Sequence, residues 1–516
     1  MNAHHYLVVS DLHLCDVEDH ADGWKRHKSS GWVFDDDFDA MVASFEARVM
    51  PGETLTLILN GDIFDFDLVT AVPDPPPFRV RRIERSYGLD ATAPKSAWKF
   101  GCILDDHPRF VATLARLIGA GHRVVVTIGN HDRELWFPTV QAVLSDRISA
   151  ACDAAAPPSD GQPAPARGEL VIEPWFFHVP GEIYVEHGHQ YDFYSSFRYN
   201  LEPIVERHGE PQIALSTGNL SNRFLLSNIG YFNPHATDFI LSAYGYIRHW
   251  VRHYAFTRHF LILTWLVGSV RALFVLLGTR ARLERHPPTD YLRHVHAAAT
   301  RYQLAPATAE ALYALRKEPI TARFHKIVRE FWIDRLLIAV GMTGGTVALG
   351  LSGAPLWVKL VVPLIVFPLV WFIYAWVAGN ENALTTEHRA QHFAHTIAGM
   401  IPVRAVVFGH THAPAVVPLA SDVTFANSGT WAPTWDDDLR PVAGLRNFTH
   451  VRVTPVGRAT LPAGSARAVQ ADYVDGCQVI VGSWLPLSPA HVRVLGTAAA
   501  SDGPPPRRGP HPGSPA

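Results

Sequence analysis

Cysteine is scarce in this chain of 516 residues. Cys15, Cys102, Cys152 and Cys477 stand far apart and form no C-x-x-C pair. That pattern excludes a disulfide framework and predicts a reducing compartment. Charge is sparse as well, at 18% against 48% hydrophobic, which is low for a wholly soluble protein. The net charge of −3 gives no signal for nucleic acid. The opening MNAHHYLVVSDLHL lacks a cationic stretch followed by a long apolar one, so no signal peptide is expected. Histidine, in contrast, is abundant. Its 28 copies invite a search for clusters.

At about 150 residues per domain, the length allows several domains. Residues 1–66 and 100–190 alternate strand-like and helical patterns. YLVVS (6–10), TLTLILN (54–60), RVVVTIGN (123–130) and EIYVEHG (182–188) are short β-branched runs ending in Gly/Asp/Asn-rich turns. PRFVATLARLIGAG (108–121) has helical spacing and closes on glycine. The segment 73–86, with Arg79, Arg81, Arg82 and Arg85, is an exposed excursion. Its arginines either meet an anionic partner or form a solvated face. Residues 154–168 read as a loop or linker.

The expected organisation has a first core part at 1–190, a largely helical insert at 191–400, a last core part at 401–480, and a Pro/Gly-rich disordered tail at 481–516. Three segments of the insert are strongly apolar: 260–278, 336–351 and 360–378. The last has 19 residues, or about 28 Å of helix against a hydrocarbon core of about 30 Å. The second has 16, about 24 Å, short for a span unless its flanks snorkel. Arg323, Lys326, Arg329 and Arg335 precede them, as a cytoplasmic flank requires. A buried hairpin in a soluble domain is the competing reading.

Five short signatures follow strand-like runs: Asp11-Leu12-His13, Gly61-Asp62-Ile63-Phe64-Asp65, Gly129-Asn130-His131-Asp132, His187-Gly188-His189 and Gly409-His410-Thr411-His412. Each sets oxygen or imidazole donors at a turn where small neighbours let the backbone bend near an ion. Donors of this kind, without thiolate, suit Mn, Fe or Zn rather than a structural zinc knot. One shared carboxylate among several histidines and one asparagine fits two cations about 3.5–4 Å apart.

The series D-x-H, G-D-x-x-D, G-N-H-D, H-G-H, G-H-T-H, in this order, resembles the calcineurin-like metallophosphoesterase superfamily. The resemblance covers roughly 5–66, 100–190 and 400–435, and omits the insert. It implies an α/β fold, a four-layer αββα sandwich, here interrupted by a membrane-associated helical region. It implies two divalent metal ions. Asp11, His13 and His412 would hold one, Asn130, His187 and His410 the other, and Asp62 would bridge them. His131 is similar to the histidine that serves the leaving oxygen, Asp65 to the carboxylate that orients it, and Asp132 occupies a supporting position. Arg133 reads either as a phosphate contact or as a solvated helix start, and His189 either as a substrate contact or as a satisfied surface residue.

The implied activity is hydrolysis of a phosphomonoester, phosphodiester or pyrophosphate bond by a metal-bridging hydroxide. Donors on both sides of the insert must meet, so the chain must cross the membrane an even number of times. Arg271 assigns 260–278 to the interface as an amphipathic helix and leaves a two-span hairpin at 336–378. The expected setting is the cytoplasmic face of a bacterial inner membrane, with a lipid-linked or membrane-proximal phosphoester as substrate. The UDP-2,3-diacylglucosamine pyrophosphatases of lipid A synthesis are similar in DLHL and GHTH. They typically carry arginine where this chain has His131, and they lack such an insert. Two further classes stand beside this one: a non-catalytic metal-binding scaffold on the same fold, and a transporter, against which the absence of paired intramembrane carboxylates counts.

Overall fold

The computed structural model describes residues 3–21, 24–155, 166–225, 227, 230, 251, 261–331, 333–378, 386–420, 422–433, 446–455, 474–484 and 492–499. The fold is mixed α/β. Its strands, in chain order, are β1 His4–Val9, β2 Thr54–Asn60, β3 Arg123–Thr127, β4 Leu170–Glu173, β5 Phe176–Val179, β6 Ile183–Glu186, β7 Ile204–Arg207, β8 Glu210–Ile213, β9 Ala405–Phe408, β10 Ala415–Pro418, β11 Thr424–Asn427, β12 Asn447–Pro455, β13 Val474–Trp484 and β14 Val492–Ala499. Seven form one mixed sheet in the order β14-β13-β12-β1-β2-β3-β4, and five form a second in the order β10-β11-β9-β6-β5. β7 and β8 pair as a separate antiparallel hairpin.

The first sheet explains why its central strands read as continuous apolar runs. Side chains alternate across a strand. Leu7, Val9, Leu57, Leu59, Val124 and Val126 therefore enter one core, while Tyr6, Val8, Ile58 and Val125 enter the other. A strand buried on both faces has no polar positions to spare. The first core is closed by the helices Asp35–Glu46, Ala93–Asp106, Pro108–Gly119 and Pro138–Ala155. In the last of these, Val140, Leu144, Ile148 and Cys152 repeat every four residues on the buried face. The second core holds Tyr184, Val185, Val406, Val407 and Phe425 of the five-stranded sheet, so the two sheets share it. Phe393 and Ile397 of the helix Thr386–Met400, with Val295 and Leu312 of two shorter helices, join that core.

β1, β2, β3 and β4 run parallel, as do β6, β9 and β11, so their carboxyl ends gather turns at common edges. Open α/β sheets place ligands at such ends. Ile183 pairs with Ala405 and Val185 with Val407, which sets the turn after β6 beside the turn after β9.

Two boundaries differ from expectation. The first sheet continues past residue 480 through β13 and β14, so the last core part reaches Ala499 and the tail is shorter than 481–516. Residues 501–516 lie outside the described residues. The insert, moreover, is not helical from its start. β7, β8 and the helix Thr217–Phe224 belong to the body of the fold, with Leu220 and Phe224 in the first core.

The apolar segments are longer than their charge-free stretches. Ile333–Leu351 and Leu356–Ala378 form an antiparallel pair tied at one end by Tyr374 Oη to Asp334 Oδ2 at 2.5 Å and at the other by Lys359 Nζ to the Gly350 carbonyl at 2.7 Å. Both are long and apolar enough to cross a membrane. No residue of Ile333–Leu351 is buried. The helix Leu261–Arg285 differs, because Ala272 and Leu276 lie in the first core.

Candidate metal centre

The candidate donors sit on strained backbone. Asp11, His13, Asp62, His410 and His412 all have positive φ, between 50° and 67°. Side chains other than glycine adopt that region only when their surroundings impose it, and such strain gathers at functional sites. The turns hold one another in place. The Asp11 amide donates to the Gly61 carbonyl at 3.1 Å, the His13 amide to the Asp62 carbonyl at 3.0 Å, and the Gly409 amide to the His187 carbonyl at 3.1 Å. Glycine is required where the turns meet most closely. A Cβ on Gly129 would lie 2.2 Å from Asp62 Oδ1, and one on Gly61 2.5 Å from His187 Cγ.

Two groups of donors result. Asp11, His13 and His412 bring ligand atoms within 4.8 Å of one another, and so do Asp62, His187 and His410. His412 Nε2 stands 3.1 Å from Asp11 Oδ1, and His187 Nε2 3.1 Å from Asp62 Oδ2. Asp62 also joins His13 and His131 in a third such group, which places it between the first two. Asn130 is 2% exposed, and its Oδ1 has no hydrogen-bond partner among the described residues. A buried amide oxygen left so is costly unless it meets a cation or water. These groups can hold a metal ion, and carboxylate, imidazole and amide donors fit the residue chemistry of Mn, Fe or Zn.

Charge is balanced inside the site. Burial alone would raise the carboxyl of Asp62, but the imidazoles of His187, His131 and His13 hold it well below the usual range. Asp11, buried in the same way, is held at about 2, chiefly by His412 and His187. His187 moves the other way, to about 9, because Asp62 and Asp11 outweigh its desolvation. Carboxylates that draw protons onto imidazoles would also draw cations in their place.

A second ring of contacts surrounds His131. Its Nδ1 lies 3.2 Å from Asp65 Oδ2 and 3.6 Å from Asp67 Oδ2. Asp65 Oδ1 is fixed by the amides of Asp67 and Leu68, both at 3.0 Å. The helix Thr217–Phe224, capped by Ser216, sends two side chains in from the insert. Asn222 Nδ2 donates to Asp65 Oδ2 at 3.3 Å, and Asn219 Nδ2 donates to Asp67 Oδ2 at 2.6 Å and to the Asn130 carbonyl at 2.9 Å. Asp192 Oδ2 stands 3.3 Å from His410 Nε2. Asp67, Asp192, Asn219 and Asn222 escaped the sequence reading. The repeated D-x-D of 65–67 and the S-T-G-N capping pattern at 216–219 were the available signals.

Two expectations change. Arg133 is neither a phosphate contact nor solvated. It is fully buried beneath Phe197, 4.9 Å from the ring, with its guanidinium bonded to Asn200. His189 is not at the surface either, being 2% exposed with Nε2 3.1 Å from Asn200 Oδ1. Burial, with Arg133 and His187 nearby, keeps it neutral. Asp132 sits in a supporting position: its oxygens accept from the Ile63 amide at 2.9 Å and the Gly129 amide at 2.6 Å, stapling two of the donor-bearing turns together. Among the four arginines of 79–85, Arg81 pairs with Glu84 and Asp90, while Arg79, Arg82 and Arg85 are exposed.

Compared with known proteins, the chain matches no family model, no curated protein and no solved structure.

Proposed function

We propose that this chain is a dinuclear metallophosphoesterase of the calcineurin-like kind, working at the cytoplasmic face of a bacterial inner membrane on a phosphomonoester, phosphodiester or pyrophosphate. The observation that carries the proposal is the meeting of Asp11, His13 and His412 with Asp62, His187 and His410, from turns far apart in sequence, the bonded Asp11 and His410 being separated by 399 residues. Helices against both outer faces of two sheets that share a core are consistent with a four-layer αββα sandwich. The apolar hairpin supports the membrane setting.

In this reading Asp11, His13 and His412 would hold one cation, Asn130, His187 and His410 the other, and Asp62 would serve both. Two divalent cations, when bound, supply the Lewis acidity that activates water near neutral pH and neutralises phosphoryl oxygens. The chain's own residues do the rest. Asp65 accepts from His131 Nδ1, fixing the tautomer, and so leaves Nε2 to carry the proton for the departing oxygen. Asp65 and Asp62, against the cost of burial, hold that imidazole protonated well above its ordinary range. Asp132 and Asn219 keep the turns in register. Buried Arg133 contributes structurally, through its bonds to Asn200 and its contact with Phe197.

The test is hydrolysis of chromogenic phosphomonoesters and diesters by the purified full chain, in Mn²⁺ against chelator, with Asp62→Ala as control. Expected are chelator-sensitive turnover by wild type and its loss, with loss of metal, in Asp62→Ala. Stoichiometric metal with no hydrolysis would point instead to a metal-binding scaffold.

A further inference from the structure

The helix Leu261–Arg285 carries two apolar stripes on opposite sides. Gly268, Ala272 and Leu276, spaced by four, face inward and are buried. Leu266, Val270 and Phe274, spaced the same way and displaced by two residues, about 200° around the helix, face outward at 53%, 44% and 69% exposure. On residues 1–190 the exposed large apolar side chains are single ones, Val33 and Met50, and form no such stripe among the described residues. Exposed apolar stripes of this size mark a contact with something apolar.

The inward stripe rests on the element that reaches the site. A Cβ on Gly268 would lie 2.3 Å from the Phe224 carbonyl oxygen and 2.7 Å from the Leu225 side chain, so the two helices touch backbone to backbone there. Phe224 ends the helix whose Asn222 and Asn219 bond Asp65, Asp67 and the Asn130 carbonyl. Asn222 Nδ2 also stands 3.5 Å from His131 Nδ1. Two helices thus separate the outward stripe from His131.

The occupant follows from continuity with the hairpin. Leu273 and Leu277, on the flank of the same helix, pack against the cluster of Phe193, Ile320 and Ile327, as does Phe331, which lies two residues before the first apolar helix. The Tyr194 hydroxyl bonds Glu330 in the same place. The outward stripe therefore sits beside the foot of a hairpin that leaves large apolar side chains, such as Leu364 at 74%, exposed. Arg282 and Arg285 at its end suit an anionic headgroup layer.

We propose that a lipid surface is an activating partner of this site, seated on the outward stripe of Leu261–Arg285 and transmitted to His131 through Asn222. The proposal rests on the hydrolytic reading above for its activity, though not for the lipid contact itself. The bilayer that receives the hairpin presses the helix onto Thr217–Phe224 and holds Asn222 against Asp65. Without it the helix has one apolar face in water, and the inward contact loosens.

Two measurements on the full chain in phosphatidylethanolamine/phosphatidylglycerol nanodiscs decide this. A nitroxide on Phe274→Cys is expected to lose nickel-chelate broadening and keep oxygen broadening, while one on Glu284→Cys stays open to the chelate. Unlabelled background is set by the native chain, whose cysteines other than Cys102 are buried. In the same nanodiscs, Val270→Glu/Phe274→Glu is expected to hydrolyse a soluble chromogenic diester severalfold more slowly at unchanged metal content. The same pair of changes should add nothing to Asn222→Ala. A label at 274 as open to the chelate as one at 284, or a double-glutamate variant at full rate, overturns the proposal. Absence of hydrolysis by wild type with any metal overturns the phosphoesterase reading and the activation together, and the label then still decides whether the stripe meets lipid.

Discussion

The central strands and the apolar hairpin are built from the same residues and end in opposite surroundings. Leu57, Leu59, Val124 and Val126 are wholly buried by their own chain, whereas Leu351 and Leu364 are 84% and 74% exposed. Apolar composition alone does not distinguish the two. The difference lies in what each leaves at its ends. Each central strand runs out into a turn of polar donors that other turns of the chain complete, so its burial serves a site. The hairpin is tied at its foot by Asp334 and Tyr374, and the apolar length beyond that pair is left exposed by the chain.

This contrast is open to attack at several points. The largest expected effect is at the turns. His131→Ala should lower turnover by about 10²–10⁴-fold while metal content, measured by elemental analysis, stays near wild type. Metal loss matching Asp62→Ala would remove His131 from proton transfer and place it among the ligands. Next, in the strands, Leu57→Ala should cost about 2–5 kcal/mol of stability in denaturant titration, since Leu57 has no exposure to lose. A smaller effect comes from His178, buried on β5 beside the Ile183 carbonyl. Desolvation lowers its pKa to about 4, although the hydrogen bond opposes this. A histidine whose folded value lies below its unfolded value of about 6.5 leaves the unfolded chain holding more protons in that window. Stability is therefore intact above about pH 6.5 and falls towards pH 4, by about 2 kcal/mol at pH 5. His178→Gln should flatten that limb of the stability–pH curve. The smallest effect belongs to the hairpin, where Leu364→Ala in detergent should shift stability by no more than about 0.5 kcal/mol. A loss as large as that at Leu57 would mean the hairpin is buried against protein after all.

The donor residues were legible because each signature is local, a strand end and a turn within five residues. The strands β1, β2, β3 and β6 were legible for the same reason, and the helix at 108–121 appears as Pro108–Gly119. What stayed hidden was long-range. Asn219 and Asn222 are ordinary polar residues until a fold sets them beside Asp67 and Asp65, 152 and 157 residues away. Arg133 and His189 carry charge or polarity that reads as exposed, and only the partner Asn200 explains how both are buried. The end of β13 and all of β14 were missed because a Pro/Gly-rich end invites the reading of a tail. The alternation in CQVIVGSW was the signal against it, and its buried Cys477, Val479 and Val481 face the second core.

Asp11 and His410 are joined by a hydrogen bond across 399 residues of sequence. At a synthesis rate of about 5–20 residues per second, the two leave the ribosome about 20–80 s apart. In that interval the apolar hairpin must be disposed of. Asp11, Asp62, Asn130 and His187 are made first, and the last two imidazoles follow the hairpin in the sequence. A chain stopped before residue 410 therefore holds Asp11, His13, Asp62 and His187 yet completes neither group of donors, so the candidate site closes only with the last part of the sequence.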